Sequence, residues 1–296
     1  MKDQTLLQIA NCLSINVQKL KYPGLLEGKM GVAVFLYHYA RYSGIASFRD
    51  IADNLIDEII DSISMSQMSF SNGLSGIGWG MKHLLKEQFI HSDDDILLFF
   101  KRQILNYIKD NEDENMLDGF IFLTLGHPKL VDDFVMSIAS KKIPLFLSSG
   151  SHSLSTLNKI LAIANNLPKK HIHPWYDILL NDVNTSIKDK QYKSSDLMIC
   201  KELLDNFHDK EESPAWKILY DCCDSLLPAG ISQADHVKVL WQKLVFLDGS
   251  MNEWYDTNWI STLVANKIKD LYIQDLYLSV GLPAFGMEIM LCNSVK

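Results

Sequence analysis

The side chains able to do chemistry in this chain fall into a few groups, and the most regular of them are two histidines. His38 and His83 each lie ten residues after a glycine, Gly28 and Gly73, that opens a Gly-x-x-Gly sequence. Imidazoles change charge near neutral pH, so two at equivalent places could carry protons or hydrogen-bond a ligand. As polar positions near helix ends they could instead face loops, the reading that the sequence favours. Glu27, Asn72 and Asp118 stand immediately before Gly28, Gly73 and Gly119. Such residues could bind an amine or a polar side chain of a peptide. Asn and Asp are also good helix N-caps, and capping has the edge.

Metal chemistry is weakly supported. The five cysteines are Cys12, Cys200, Cys222, Cys223 and Cys292, with no Cys-x-x-Cys pair. That odd, scattered set fits free thiols in a reducing compartment. Cys200, His208, Cys222 and Cys223 are near one another in sequence, but adjacent helical residues point about 100° apart, so Cys222 and Cys223 are poorly placed to share an ion. Core packing is the expectation for them. His171-x-His173 could supply two ligands without an evident third, and a solvated helix start is the simpler reading. The rings of Trp175, Tyr176, Trp241, Trp254, Tyr255 and Trp259 gather in the second half. They suit either a peptide or sugar groove or a packed core. There is no Gly-x-Ser-x-Gly elbow, Walker A loop or His-Glu-x-x-His. Gly73-Leu-Ser-Gly76-Ile-Gly78 opens an apolar helix and is not a dinucleotide turn.

The elements that must position these groups read as helices. Leu6, Ile9, Leu13, Val17 and Leu20 form one stripe over residues 3–20. An apolar segment over 29–43 ends at Ser43-Gly44. Ser47 with Asp50 resembles a capping box, followed by Phe48, Ile51, Leu55 and Ile59 on one face. Ser92 with Asp93–Asp95 predicts an acidic helix start. Residues 142–147 contain Pro144 and are expected as a short strand or buried connector. Helices are predicted over 153–166, 174–189, 195–208, 214–227, 233–246 and 257–272. The chain is 47% hydrophobic and 22% charged, enough apolar content for a large core. Its net charge of −8 argues against a nucleic-acid partner. No apolar run reaches the roughly 20 residues of a membrane span. Residues 1–20 do not resemble a signal peptide, so a cytoplasmic protein is expected. No linker divides the chain, which predicts a single domain over 1–296.

A longer period organises these helices. Gly28-Lys-Met-Gly31 and Gly73-Leu-Ser-Gly76 lie 45 residues apart, and Gly281-Leu-Pro-Ala284-Phe-Gly286 fits the same frame. Asp118-Gly119 is a weaker copy. Each glycine is expected where a turn enters an apolar helix, allowing positive φ and close approach. In each unit an amphipathic helix precedes an apolar one, which predicts an all-α fold, an α/α toroid with apolar inner helices and amphipathic outer ones.

The segments GLLEGKMGVAVFLYHYARYSG, SFSNGLSGIGWGMKHLL and YLSVGLPAFGMEIML resemble the lanthionine synthetase C-like family. The resemblance covers about the first 90 residues and the last 20; the middle matches poorly. It implies a toroid of nested helices with a central funnel. It also implies a site where active members hold zinc through two cysteines and a histidine, activating a peptide thiolate for addition to a dehydrated Ser or Thr. The matching positions here hold Glu27, Asn72, Asp118 and Val280, or Leu26, Ser71, Leu117 and Ser279. The further turns at Gly150 and Gly230 also lack Cys and His. No cofactor is therefore expected, and zinc is unsupported by motif. The leading expectation is a divergent member acting as a peptide- or partner-binding scaffold in peptide modification. Its alternatives are an active enzyme of another class on the toroid, such as a carboxylate-based glycoside hydrolase, a zinc cyclase with relocated ligands, or an open α-solenoid. In the solenoid, the first and last glycine motifs would lie far apart.

Overall fold

The computed structural model describes residues 2–64, 67–91, 95–125, 130–172, 174–190, 192–206, 214–227, 239, 242–243, 245–246, 257–279 and 281–291. His173, His208, Trp241, Trp254, Tyr255, Cys292, Gly230, the acidic start at Ser92 and most of the predicted helix 233–246 lie outside these residues. Every element among the described residues is helical. In chain order they are α1 (Lys2–Asn16), α2 (Lys29–Ser43), α3 (Ala46–Asp61), α4 (Leu74–Lys86), α5 (Asp95–Asp110), α6 (Glu114–Thr124) and α7 (Asp133–Ser148). There follow α8 (Leu154–Asn165), the single turn α9 (Lys169–Ile172), α10 (Tyr176–Lys188), α11 (Ser194–Asp205), α12 (Pro214–Leu226), α13 (Thr257–Lys269) and α14 (Leu282–Leu291). No helix among the described residues is long and apolar enough to cross a membrane.

The chain forms two compact units, one from residues 1–100 and 250–296, the other from 101–249. In the first, α2 packs against α3, α4 and α14, and α1 packs against α13 and α14. The division of labour follows sequence pattern. In α3, Phe48, Ala52, Leu55, Ile56 and Ile59 are buried along one stripe, leaving the opposite face to water. In α2, every residue from Met30 to Tyr37 is buried, so this helix needs neighbours on several sides. It stops where expected: Gly44 takes φ +73° and its N–H returns to the Ala40 carbonyl at 2.9 Å. In the second unit α8 is the covered helix, packed against α6, α10 and α11.

Three expectations are corrected. Residues 142–147 are neither strand nor connector but the end of α7, with Pro144 inside it. The buried series Val135, Ala139, Ile143 and Phe146–Leu147 keeps helical spacing through the proline, and that burial outweighs the lost hydrogen bond. Ser47 caps nothing, because α3 begins one residue earlier behind Ile45, without a side-chain cap. Gly28 and Gly73 are not left-handed; they are extended N-caps with φ of −144° and −119°.

What those glycines provide is closeness. A Cβ on Gly28 would fall 2.5 Å from the Tyr22 oxygen, and one on Gly73 would fall 2.4 Å from the Gln67 oxygen. On Gly31 it would meet the Leu25 oxygen at 2.3 Å, and on Gly76 the Phe70 oxygen at 2.1 Å. On Gly281 the Asp275 oxygen would be 2.3 Å away. In all five the obstacle is a carbonyl six residues upstream. Each motif therefore folds its own approach loop against the start of its helix.

Candidate functional site

The loops before α2 and α4 perform the task usually left to a capping side chain. In α2, Lys29 and Met30 donate to the carbonyls of Tyr22 and Pro23 at 3.0 and 3.2 Å. In α4, Leu74 and Ser75 donate to Gln67 and Met68 at 2.8 and 3.4 Å. Both pairs bond seven residues back, meeting amides that an isolated helix leaves unpaired. Glu27 and Asn72 are thus not needed as caps, and neither makes a capping bond. They meet each other instead, Asn72 Nδ2 donating to Glu27 Oε2 at 3.2 Å.

The loops are also laced together. Ser279 N–H donates to the Leu26 carbonyl at 3.1 Å, and Leu26 N–H donates to the Ser71 carbonyl at 3.1 Å. All three residues stand two before their glycine, so one backbone bond repeats from the last motif to the first and from the first to the second. Side chains follow the same order: a Cβ on Gly31 would strike Leu278 Cβ at 2.7 Å, and one on Gly286 would strike the Phe35 ring at 2.1 Å. A Cβ on Gly80 would strike Met30 Cγ at 2.4 Å. The first and last glycine motifs are direct neighbours.

Eleven residues beyond the Glu27–Asn72 pair, close to three helical turns, the same register brings His38 and His83 together. They meet each other, and His38 also packs on Phe89 of the turn that follows α4. Their Nε2 atoms are 2.8 Å apart and their ring centroids 5.1 Å. The gap between those distances is what two ring radii span, so the imidazoles meet head-on. Trp79 stacks on His83 at 5.1 Å, and Phe89 meets His38 edge-on at 4.7 Å. Arg41 lies over the Phe89 ring at 3.6 Å; it pairs with the Glu87 carboxylate at 3.3 Å and donates to the Glu87 carbonyl. Burial, then His83 and Arg41, push His38 down to about 3. Burial, then Lys86 and Arg41, push His83 down to about 4. Near neutral pH both rings are uncharged, one Nε2 donating to the other. Both keep some solvent exposure.

Asp118 has a different local setting. It lies in the second unit, inside α6, whose N-cap is Asp113. Gly119 likewise opens no turn: a Cβ there would meet Ile104 Cγ2 of α5 at 2.8 Å, a helix-packing contact. Asp118 is buried and paired with Lys159 of α8 at 2.7 Å, which also reaches Glu114 at 2.8 Å.

The remaining candidates are structural. Cys222 is partly exposed and Cys223 buried, pointing apart as the helical spacing requires. Cys200 is fully buried; its hydrogen bond with Cys223 and the burial itself raise its pKa and keep it a thiol. His171 contacts Ser140 Oγ at 3.1 Å, and Trp175 is a core residue donating to the His171 carbonyl at 2.8 Å. Among the described residues, no three or more His, Cys, Asp or Glu side chains converge as a metal site would require.

Two features were not anticipated. Glu288, in the apolar α14, is buried with Oε1 lacking a hydrogen-bond partner, and burial pushes its carboxyl up to about 8. A single carboxylate in LPAFGMEIML was the signal for it. A groove of about 510 Å³ runs between α1 and α13, lined by Gln8, Asn11, Cys12, Ile15, Asn16 and Ile268 among others. Ile15 is 78% exposed there. Comparison with protein-family models, with curated proteins and with solved structures found no match for the chain.

Proposed function

We propose that this chain is a divergent lanthionine synthetase C-like protein that serves as a peptide- or partner-binding scaffold, without a zinc centre at the family's positions. The observation that carries this reading is the backbone lacing from Ser279 to Leu26 to Ser71. It favours a closed α/α toroid over an open solenoid, in which the terminal motifs would be separated. The alternation of amphipathic and apolar helices supports the same reading. The positions that would supply zinc ligands carry the laced backbone and the Glu27–Asn72 pair, and Cys200 and Cys223 are hydrogen-bonded to each other in the other unit. The α1–α13 groove has the size of a ligand site and offers amides beside an exposed isoleucine, a fitting seat for an extended peptide.

The test uses a fluorescent peptide carrying one cysteine and one dehydroalanine. The expected result is saturable binding by anisotropy, weakened at least tenfold by Ile15→Asp, with no thioether formation above the uncatalysed rate. Protein purified without chelators is expected to contain no stoichiometric zinc. Zinc held by cysteine with accelerated ring closure would restore the cyclase reading; no peptide binding would remove the scaffold reading.

A further inference from the structure

Two imidazoles meeting head-on are a ligand set as well as a hydrogen-bonded pair. The Nε2 lone-pair axes of His38 and His83 are collinear, with 2.8 Å between the nitrogens. A tetrahedral ion would need converging, angled donors and further ligands, and no cluster of three is found among the described residues. A linear, two-coordinate ion needs only this pair. With about 2 Å for each metal–imidazole bond, the nitrogens must separate by roughly 1 Å. Rotation of two partly exposed side chains near the ends of separate helices can supply that movement.

The surroundings hold the pair in place and limit the charge it can take. Trp79 stacks on His83 and Phe89 meets His38 edge-on, so the two imidazoles are oriented by aromatic packing. Arg41 is engaged by Glu87, and Lys86 also acts on His83, so these positive neighbours favour an ion of the lowest charge. A univalent ion carries a smaller desolvation penalty than a divalent one in so enclosed a place.

We propose that His38 and His83 form a two-coordinate site for Cu(I), bound linearly between their Nε2 atoms. The neutral pair holds one proton between the nitrogens. On binding, that proton moves to Nδ1 of its own ring, so both rings coordinate as neutral ligands and no proton is released. The site draws only on α2 and α4, and it stands whether or not the chain binds peptides.

The experiment is an anaerobic titration of the full-length protein with Cu(I), competed by a chromophoric chelator, after its accessible thiols have been alkylated; X-ray absorption then distinguishes histidine from the buried cysteines. The expected result is one Cu(I) per chain, with X-ray absorption showing two nitrogen neighbours and no sulfur. His38→Ala should weaken binding at least a hundredfold, whereas replacement of the exposed His91 by Ala should leave it unchanged. His83→Gln keeps a hydrogen-bonding amide beside His38 and is expected to fold with the wild-type circular dichroism spectrum, yet lose the ion. Stoichiometric binding that survives His83→Gln, or no binding by the alkylated wild-type protein, overturns the proposal.

Discussion

In the first unit the amides opening α2 and α4 are met by backbone carbonyls of the loop before them, whereas in the second unit side chains do the same work. Asp113 Oδ1 accepts from Met116 N–H at 3.1 Å, Asp132 Oδ1 from Val135 at 2.9 Å, and Ser153 Oγ from Thr156 at 3.3 Å. Backbone capping demands that a loop lie against the helix start, which only glycine allows. Side-chain capping asks for a polar residue and leaves the loop free. The same contrast holds between helices. Unit one joins its covered helices through glycine contacts, while in unit two Asn158 and Asn165 of α8 donate to the Asp196 and Leu203 carbonyls of α11 at 2.8 and 2.9 Å. A glycine signature can therefore be lost from part of a helical repeat while the helices persist, provided polar side chains take over.

The sharpest way to break this comparison is Gly76→Ala. Its Cβ would sit 2.1 Å from a backbone oxygen, and we expect a loss of at least about 3 kcal/mol in urea unfolding. Gly119→Ala meets only side-chain carbons, of Ile104 and Ile108, and should change stability by about 1 kcal/mol; equal effects would erase the distinction. Lys159→Ala should cost about 3 kcal/mol by taking the cation away from the buried Asp118, while Lys159→Met with Asp118→Leu should recover most of it.

Glu288 gives unit one a pH signature. Its folded-state pKa, about 8, lies above the unfolded value, so the folded chain retains a proton that the unfolded chain releases. Stability should be greatest below the unfolded pKa and fall as pH rises through about 8, by a few kcal/mol. Glu288→Gln should flatten that slope, as read by denaturation midpoints at pH 5 and 8.5; a slope unchanged by the variant would assign it elsewhere. The smallest effect is reserved for Asp113→Ala, at about 1 kcal/mol for a lost cap.

The sequence carried the helical architecture because apolar spacing and stop signals are local. The apolar run and Ser43-Gly44 place α2 at 29–43, as observed. Where a local cue met a tertiary one, the tertiary one won: Pro144 marks a break, yet the buried stripe of α7 runs through it. The equivalence of His38 with His83 and of Glu27 with Asn72 was visible as a common offset. Their contact was not, since it depends on the register of α2 against α4. Asp118 was misplaced because a glycine reads alike whether it serves a turn or, as Gly119 does, a helix crossing.

The lacing of the first and last motifs has a consequence for the order of assembly. Thr5 and Ser261, 256 positions apart, share a hydrogen bond of 3.1 Å, and the amide of Ser279 completes the loop carbonyl of Leu26. A chain leaving the ribosome has therefore made all of residues 101–249 before the first unit can gather its parts. Until then α2 lacks the neighbour that covers Phe35, and its all-round apolar surface is open to wrong partners. Such long-range closure is slow to find. A nascent chain arrested before residue 279 should bind a chaperone or an apolar dye that the finished protein ignores.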